Sequence, residues 1–221
     1  ALMVRTLGSG ANGIGYYMYH GGSTPKQSNG VGFFSDEVMG VPKISYDFQA
    51  LIGEFGLVRD SYRNLRILHT FLKDFGSVLA PMETILPEGY ERITPDNRET
   101  LRYAVRMKDD SGFVFMTNFQ DHDTARLDQT DLQLRLNLQK ESLSIPAKGT
   151  FILKKDESVI LPFNLRMGDV VLKYATAQLL TKIEENGNDH YFFFAPEGFM
   201  PEYTFDKSTV KSGSAFYTPE P

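Results

Sequence analysis

Hydrophobic and polar residues alternate strictly in the second half of the chain. Four leucines form a period-two row separated by polar residues: Leu132, Leu134, Leu136 and Leu138, with Gln133, Arg135 and Asn137 between them. Successive side chains of a strand point to opposite faces, so the row predicts a strand with one buried and one solvent-facing side. We expect the leucines to face the core.

The same periodicity predicts further strands around this row. Residues 101–107 alternate, residues 108–112 supply a turn, and residues 113–119 return as a second strand, which indicates a hairpin. Further strands are predicted at 149–153, 158–163, 170–178, 179–183 and 190–195, with Asn186-Gly187-Asn188 as the turn between the last two. Short strands at this spacing are typical of an antiparallel β-sandwich or an irregular β-barrel.

The first third of the chain has a helical pattern instead. Leu65, Leu68, Leu72 and Phe75 recur every three or four residues, which predicts an amphipathic helix from Asp60 to near Leu79. Residues 1–7 look like the end of another helix. The apolar run at 14–19, flanked by glycines, is typical of a buried strand in a parallel sheet. Residues 21–43 are rich in glycine, proline, serine and asparagine, and predict a long loop that is either functional or a simple cover.

These patterns divide the chain into two parts of different class. Residues 1–82 are predicted to be α/β, residues 83–98 a linker rich in turn-forming residues, and residues 99–221 an all-β domain.

Composition excludes several classes of protein. The 221 residues carry a formal net charge of -5 and contain no cluster of lysine and arginine, which argues against nucleic-acid binding. No apolar stretch is long enough to predict a membrane span. The absence of cysteine excludes disulfides, thiol catalysis and cysteine-ligated metal. Tryptophan is also absent, so a platform that stacks on a sugar would have to be tyrosine or phenylalanine.

Motifs for catalysis are weak when taken from the residues alone. The sequence has no phosphate-binding loop with lysine, no His-Glu-x-x-His and no Gly-x-Ser-x-Gly, and its four histidines are far apart. Four carboxylates, Asp36, Glu37, Asp47 and Glu54, lie around the long loop. A pair of them could hydrolyse a glycoside. The alternative, that they are solvated loop charges or caps, is favoured by composition.

Several segments resemble glycoside hydrolase family 35 β-galactosidases. Residues 16–22, Tyr-Tyr-Met-Tyr-His-Gly-Gly, resemble the family's Tyr-Met-x-x-Gly-Gly-Thr-Asn motif. Residues 45–50, Ser-Tyr-Asp-Phe-Gln-Ala, resemble its Thr-Ser-Tyr-Asp-Tyr-Asp-Ala-Pro segment, and residues 54–56, Glu-Phe-Gly, resemble its Glu-Tyr-Gly or Glu-x-Gly motif. Residues 62–82 are similar to bacterial members. In the β region, segments 111–115, 161–165, 173–178 and 192–195 are similar to the family's second, all-β domain.

The resemblance implies a fold and an activity. The family's catalytic domain is a (β/α)₈ TIM barrel, so residues 14–19 would be its eighth strand and residues 62–79 its closing helix. The family's two catalytic glutamates would precede Ala1, so no catalytic residue is expected in this chain, and the chain alone is expected to be inactive. Its partners would be a β-galactoside substrate and the preceding part of the barrel, with no metal and no cofactor. Residues 1–7 show no signal peptide, and a periplasmic or secreted location is implied by the resemblance alone.

The resemblance also implies three substrate-binding residues. Tyr17 matches a tyrosine beside the nucleophile, and Tyr46 matches the first tyrosine of the Ser-Tyr-Asp-Tyr segment. Phe48 stands where the family has a second tyrosine that contacts the sugar; it keeps the aromatic ring and lacks the hydroxyl. The alternative function is a non-catalytic β-rich module for carbohydrate contact or scaffolding.

Overall fold

The computed structural model describes residues 1–25 and 45–211. Within these residues the helices are α1 (Leu2–Gly8), α2 (Asp60–Leu79) and a 3₁₀ turn (Tyr90–Arg92). The strands there are β1 (Gly22–Ser23), β2 (Ser45–Tyr46), β3 (Glu83–Ile85), β4 (Arg102–Lys108), β5 (Ser111–Thr117), β6 (Gln129–Leu132), β7 (Leu134–Asn137), β8 (Ser142–Ile145), β9 (Phe151–Leu153), β10 (Ser158–Met167), β11 (Val170–Ala175), β12 (Gln178–Glu185), β13 (Asn188–Phe194) and β14 (Tyr203–Phe205). No helix in the described part of the chain is long and apolar enough to cross a membrane.

The chain divides into two compact units, and the larger is built on a six-stranded antiparallel sheet. This unit comprises Ala1–Asn12 and Phe71–Pro221, and the smaller comprises Gly13–Thr70. The strand order in the large sheet is β14-β11-β10-β5-β4-β3. Strand β3 lies within the segment 83–98 that the sequence predicts as a linker, and it forms one edge of this sheet.

Two predicted hairpins are confirmed, and each has a two-residue turn with positive φ values. Lys108 of β4 pairs with Ser111 of β5, so the turn between these strands has two residues, whereas the sequence predicts five. Asp109 and Asp110 have positive φ values of 51° and 61°. Strands β12 and β13 pair from Glu185 to Asn188 across Asn186 and Gly187, which also have positive φ. Two-residue turns with positive φ match the right-handed twist of the strands that they join.

The hydrophobic core lies between one face of the large sheet and the strands β7, β8 and β9. Buried side chains of β4, β5, β10 and β11 meet those of the three short strands there. Leu134 and Leu136 are buried, Leu132 and Leu138 pack against the same core, and the three polar residues between them are exposed. The predicted alternation is therefore confirmed, although the row is not one strand: Leu132 ends β6, Leu134 and Leu136 belong to β7, and Leu138 follows β7.

The opposite face of the large sheet is covered by α1 and by the end of α2. Helix α1 packs on β4 and β5. A Cβ atom added to Gly8 would lie 2.7 Å from the Cβ of Phe115, so the close approach requires glycine. From α2, the Phe71 ring meets the Phe113 ring of β5 edge-on, with 5.3 Å between their centroids. This unit therefore has three layers: helices, the large sheet, and the short strands.

Arg106 of β4 holds both helix ends on this face. Its side chain is buried, and its guanidinium donates to the carbonyl oxygens of Leu7 at 3.3 Å, Leu79 at 3.0 Å and Met82 at 3.0 Å. It also donates to Asn12 Oδ1 at 2.9 Å. The last carbonyls of a helix lack partners within the helix and carry partial negative charge, so a cation stabilises them.

The predicted helix at 60–79 is confirmed, but its buried stripe differs from the prediction. Leu68, Phe71, Phe75 and Leu79 are the buried residues, whereas Leu65 and Leu72 are half-buried. Both the predicted stripe and the observed one have spacings of three and four residues, as expected for one face of a helix. The two stripes lie side by side, because a helix turns about 100° per residue. Phe71 is therefore the buried residue in this turn of the helix, where the sequence pattern predicts Leu72.

The predicted buried strand at 14–19 is wrong. These residues form no strand, and the Tyr17 side chain is 81% exposed. A parallel strand of this kind needs hydrogen-bonded neighbours on both sides and helices over both faces. In the described residues every pair of named strands is antiparallel, and the parallel contact nearby is a single bridge between His20 and Ile52.

In the part of the smaller unit that the structure describes, one short pair of antiparallel strands is present. Strands β1 and β2 pair Gly22 with Tyr46 and Ser23 with Ser45. The predicted loop at 21–43 lies mostly outside the described residues, as do Asp36 and Glu37.

Candidate functional site

Tyr17, Tyr46 and Phe48 lie together in the smaller unit, and we call them the aromatic triplet. The hydroxyl groups of Tyr17 and Tyr46 are hydrogen-bonded to each other. Their rings meet edge-on, with centroids 6.5 Å apart. The rings of Tyr46 and Phe48 also meet edge-on, at 4.6 Å. The three residues selected from the sequence therefore form one continuous aromatic surface, although Tyr17 is far from the other two along the chain.

The aromatic triplet is open to solvent. Phe48 is 54% exposed, and Tyr17 is more exposed still. Phe48 and Gln49 both have left-handed backbone conformations, with φ of 43° and 52°. Such values are unusual for a bulky residue such as phenylalanine and often occur where a chain presents side chains for binding. The turn at 48–49 thus presents an apolar ring that the protein interior does not use.

The phenols of the triplet supply hydrogen-bonding groups beside that ring. The hydrogen bond with Tyr17, followed by partial burial, raises the pKa of Tyr46 above its usual value. The Tyr46 phenol is therefore protonated at neutral pH. A protonated phenol both donates and accepts, so this surface can bind a sugar hydroxyl or a carboxylate oxygen.

Asp47 fixes the segment that carries Tyr46 and Phe48. One carboxylate oxygen accepts from the Glu54 backbone N–H at 2.7 Å, and the other accepts from Arg59 Nη2 at 2.6 Å. The Glu54 N–H, and with it the Arg59 guanidinium, lowers the pKa of Asp47. A Cβ atom on Gly21 would lie 2.7 Å from Asp47 Oδ1, so the glycine in the Tyr-Met-Tyr-His-Gly-Gly motif allows this close contact.

Glu54 has a similar structural role. Its carboxylate accepts hydrogen bonds from the hydroxyls of Ser23 on β1 and Ser45 on β2. Asp47 and Glu54 are thus both engaged in local bonds that hold the short strands and the turn. These contacts favour the structural interpretation of the two carboxylates over the catalytic one.

A second aromatic group was missed by sequence reasoning. Tyr16 OH lies 2.6 Å from His69 Nε2, and the rings of Tyr16, Tyr19 and Tyr62 follow one another at 5.9 Å and 6.1 Å. Burial, followed by the neighbouring Tyr19, raises the pKa of Tyr16. Tyr16 and His69 are 53 positions apart in the sequence, and no local pattern predicts their contact. Among residues 1–25 and 45–211, no three histidines or carboxylates lie close enough together to hold a metal ion.

The family of the chain follows from a comparison with protein-family models. The model described as "Beta-galactosidase, domain 2" matches residues 89–218. The match takes in β4 to β14, and with them most of the large sheet and its core. It confirms the resemblance to the C-terminal part of a β-galactosidase, while the aromatic triplet lies outside the matched residues. Because the match covers more than half of the sequence, the chain belongs to the beta-galactosidase domain 2 family.

Proposed function

We propose that this chain is part of a retaining exo-β-galactosidase that hydrolyses terminal β-galactosyl residues. The observation that carries the proposal is the family match at residues 89–218. In a retaining glycosidase one carboxyl group acts as nucleophile and a second as acid and then base, and neither metal nor cofactor takes part. In this proposal both groups are glutamates that precede Ala1 in a longer polypeptide.

The aromatic triplet would form one wall of the sugar pocket of that enzyme. Its exposure supports this role, since an apolar ring beside two phenols matches the apolar face and the hydroxyls of a sugar. Tyr17 would donate to the nucleophilic carboxylate and orient it, a form of electrostatic preorganisation. Tyr46 would position Tyr17 through their hydrogen bond. Phe48 would pack on the sugar ring.

The remainder of the proposal concerns the parent protein. Residues 1–82 would supply the C-terminal part of a (β/α)₈ barrel. Residues 83–98 would connect the barrel to the β domain. The enzyme would be periplasmic or secreted, where it would meet β-galactosides.

The alternative is a non-catalytic module for carbohydrate contact or scaffolding. It is favoured by one observation: the core between the large sheet and strands β7, β8 and β9 is formed within the larger unit alone. The activity assay below, repeated on the longer polypeptide, separates the two functions.

The 221-residue chain alone is expected not to hydrolyse 4-nitrophenyl β-galactoside, because Asp47 and Glu54 are engaged in structural bonds. The measurement is nitrophenol release by the purified chain, with Asp47→Asn and Glu54→Gln as matched variants. If the chain alone showed turnover and either variant abolished it, the catalytic pair would lie in this chain and the assignment would be refuted.

The same assay on the longer polypeptide separates the two proposed functions. Turnover by the longer polypeptide supports the galactosidase, and the absence of turnover supports the scaffolding module.

Substitution of Phe48 by tyrosine in the longer enzyme is expected to change sugar selectivity and not stability. One hydrogen bond to a neutral partner contributes about 1 kcal/mol net, which corresponds to roughly a fivefold change in relative kcat/KM. The measurement is kcat/KM over a panel of nitrophenyl glycosides. Phe192→Tyr, which adds the same hydroxyl to a part-exposed ring on β13, is the control. Equal ratios for wild type and Phe48→Tyr would remove Phe48 from the site.

A further inference from the structure

The larger unit contains a cavity on the helix-covered side of its sheet. The cavity has a volume of about 400 Å³ and is bounded by α1, by segment 86–95 and by strands β4 and β5. Its apolar walls include Leu86, Ile93, Phe115 and Phe119. Sites for small organic molecules are typically 300–1,000 Å³ and mainly apolar, with a few polar groups that fix orientation. The cavity lies within that size range, its wall combines apolar with polar side chains, and its residues are separate in sequence from the aromatic triplet.

The charged side chains of this cavity are both arginines. Arg5 of α1 and Arg102 of β4 line it, and none of the described residues that line it is acidic. A protein with a net charge of -5 would more often present carboxylates. Asp121 borders an adjoining smaller cavity, where its carboxylate lies 3.6 Å from His122. Two cations thus face the cavity without an anion in its wall.

Arg102 is held in place by neutral acceptors. Its Nη2 donates to the carbonyl oxygens of Asn97 at 3.1 Å and Thr94 at 3.2 Å, and its Nη1 donates to the Gln120 side chain. Its Nε is buried and has no acceptor among the described residues. These bonds fix the orientation of the guanidinium. One N–H of Nη1 has no acceptor among the described residues, in addition to the buried Nε–H.

The electrostatic surroundings of Arg102 leave its charge uncompensated. Burial, followed by the neighbouring guanidinium groups of Arg126 and Arg5, lowers its pKa. Asp123 acts in the opposite sense, but its carboxylate is already paired with Arg98 at 2.8 Å. Arg102 is half-buried and forms no ion pair with a carboxylate among the described residues, so a bound anion would stabilise its charge.

We infer that this cavity binds an organic carboxylate, with its charged group on Arg5 and Arg102 and its apolar body against Leu86, Ile93 and Phe115. Guanidinium groups suit carboxylates because their N–H donors match the two carboxylate oxygens. The inference does not depend on the galactosidase activity. Two sources share this chemistry: a free acid with an aryl or alkyl body, and an acidic sugar at the end of a glycan.

The test compares charged ligands with uncharged ligands of the same shape, using the full 221-residue chain. Titrations followed by NMR use 3-phenylpropionate against 3-phenylpropanamide, and 4-nitrophenyl β-glucuronide against 4-nitrophenyl β-glucoside. We expect the carboxylate of one pair to bind at least tenfold more tightly than its neutral partner. The pair that shows the preference identifies the source. Equal binding within both pairs, or no saturable binding by either acid, would overturn the inference.

Arginine variants locate the binding. Arg5→Gln is expected to weaken carboxylate binding at least fivefold; the Arg5 side chain is exposed and has no hydrogen bond or ion pair within the described residues. Arg102→Lys keeps the charge, loses the planar fork, and is expected to weaken binding as well. Arg92→Gln removes the same charge from an exposed arginine that pairs with Glu91 outside the cavity wall, and is the control. An effect of Arg92→Gln equal to that of Arg5→Gln would show a general charge effect and overturn the site.

Discussion

Replacement of Arg106 by methionine is expected to lower the free energy of unfolding by about 3–5 kcal/mol, because a buried guanidinium and all of its hydrogen bonds are lost together. The guanidinium bonds five acceptors at 3.3 Å or less: the carbonyl oxygens of Leu7, Ala11, Leu79 and Met82, and Asn12 Oδ1. Methionine fills much of the same space, so the loss measures the hydrogen bonds and the charge more than a cavity. The two helix ends would keep their partial negative charge without a cation.

The measurement is urea unfolding of wild type and variants, with the slope of the transition compared as well as its midpoint. Arg135→Met makes the same change at an exposed position of β7 and is expected to alter stability by less than about 0.5 kcal/mol. Arg106→Lys is expected to fall between the two, since an ammonium keeps the charge and reaches fewer carbonyls. If Arg106→Met were as stable as Arg135→Met, the guanidinium would not be holding the helix ends.

The role of Arg106 could not be predicted from the sequence. In β4 it alternates with Tyr103, Val105 and Met107, and this pattern assigns it to a polar, solvent-facing side. The structure instead covers that side with α1 and the end of α2. The acceptors of Arg106 come from residues 7–12 and 79–82, which the fold alone brings together.

The parts predicted correctly are those with strong local determinants. The Asn186-Gly187 turn fixes its own hairpin, and the Asp60–Leu79 helix has a regular apolar stripe from Leu65 onwards. The run at 14–19 lacks such a determinant, because whether it forms a strand depends on neighbours and not on its own residues. The aromatic triplet was identified from motifs of a known family, and its ring contacts came only from the structure.

Replacement of Leu136 by alanine is expected to cost about 2–5 kcal/mol of unfolding free energy, since truncation of a buried leucine loses its burial and leaves a cavity. Leu136 is 7% exposed, pairs with Leu143 across β7 and β8, and belongs to the main core. The exposed neighbour Arg135 provides the control, Arg135→Ala, which is expected to change stability by less than about 0.5 kcal/mol.

A graded comparison along the same row makes the Leu136 prediction sharper. Leu138 packs against the same core but is only half-buried, so Leu138→Ala should cost less than Leu136→Ala. The three variants would then rank Leu136, Leu138, Arg135 in order of decreasing loss, as measured by urea unfolding. Equal losses for the two leucines, or a larger loss for Arg135→Ala, would contradict the inward orientation of the row. The ranking tests side-chain direction itself, because neighbouring residues share the same backbone, and only the face to which each side chain points differs.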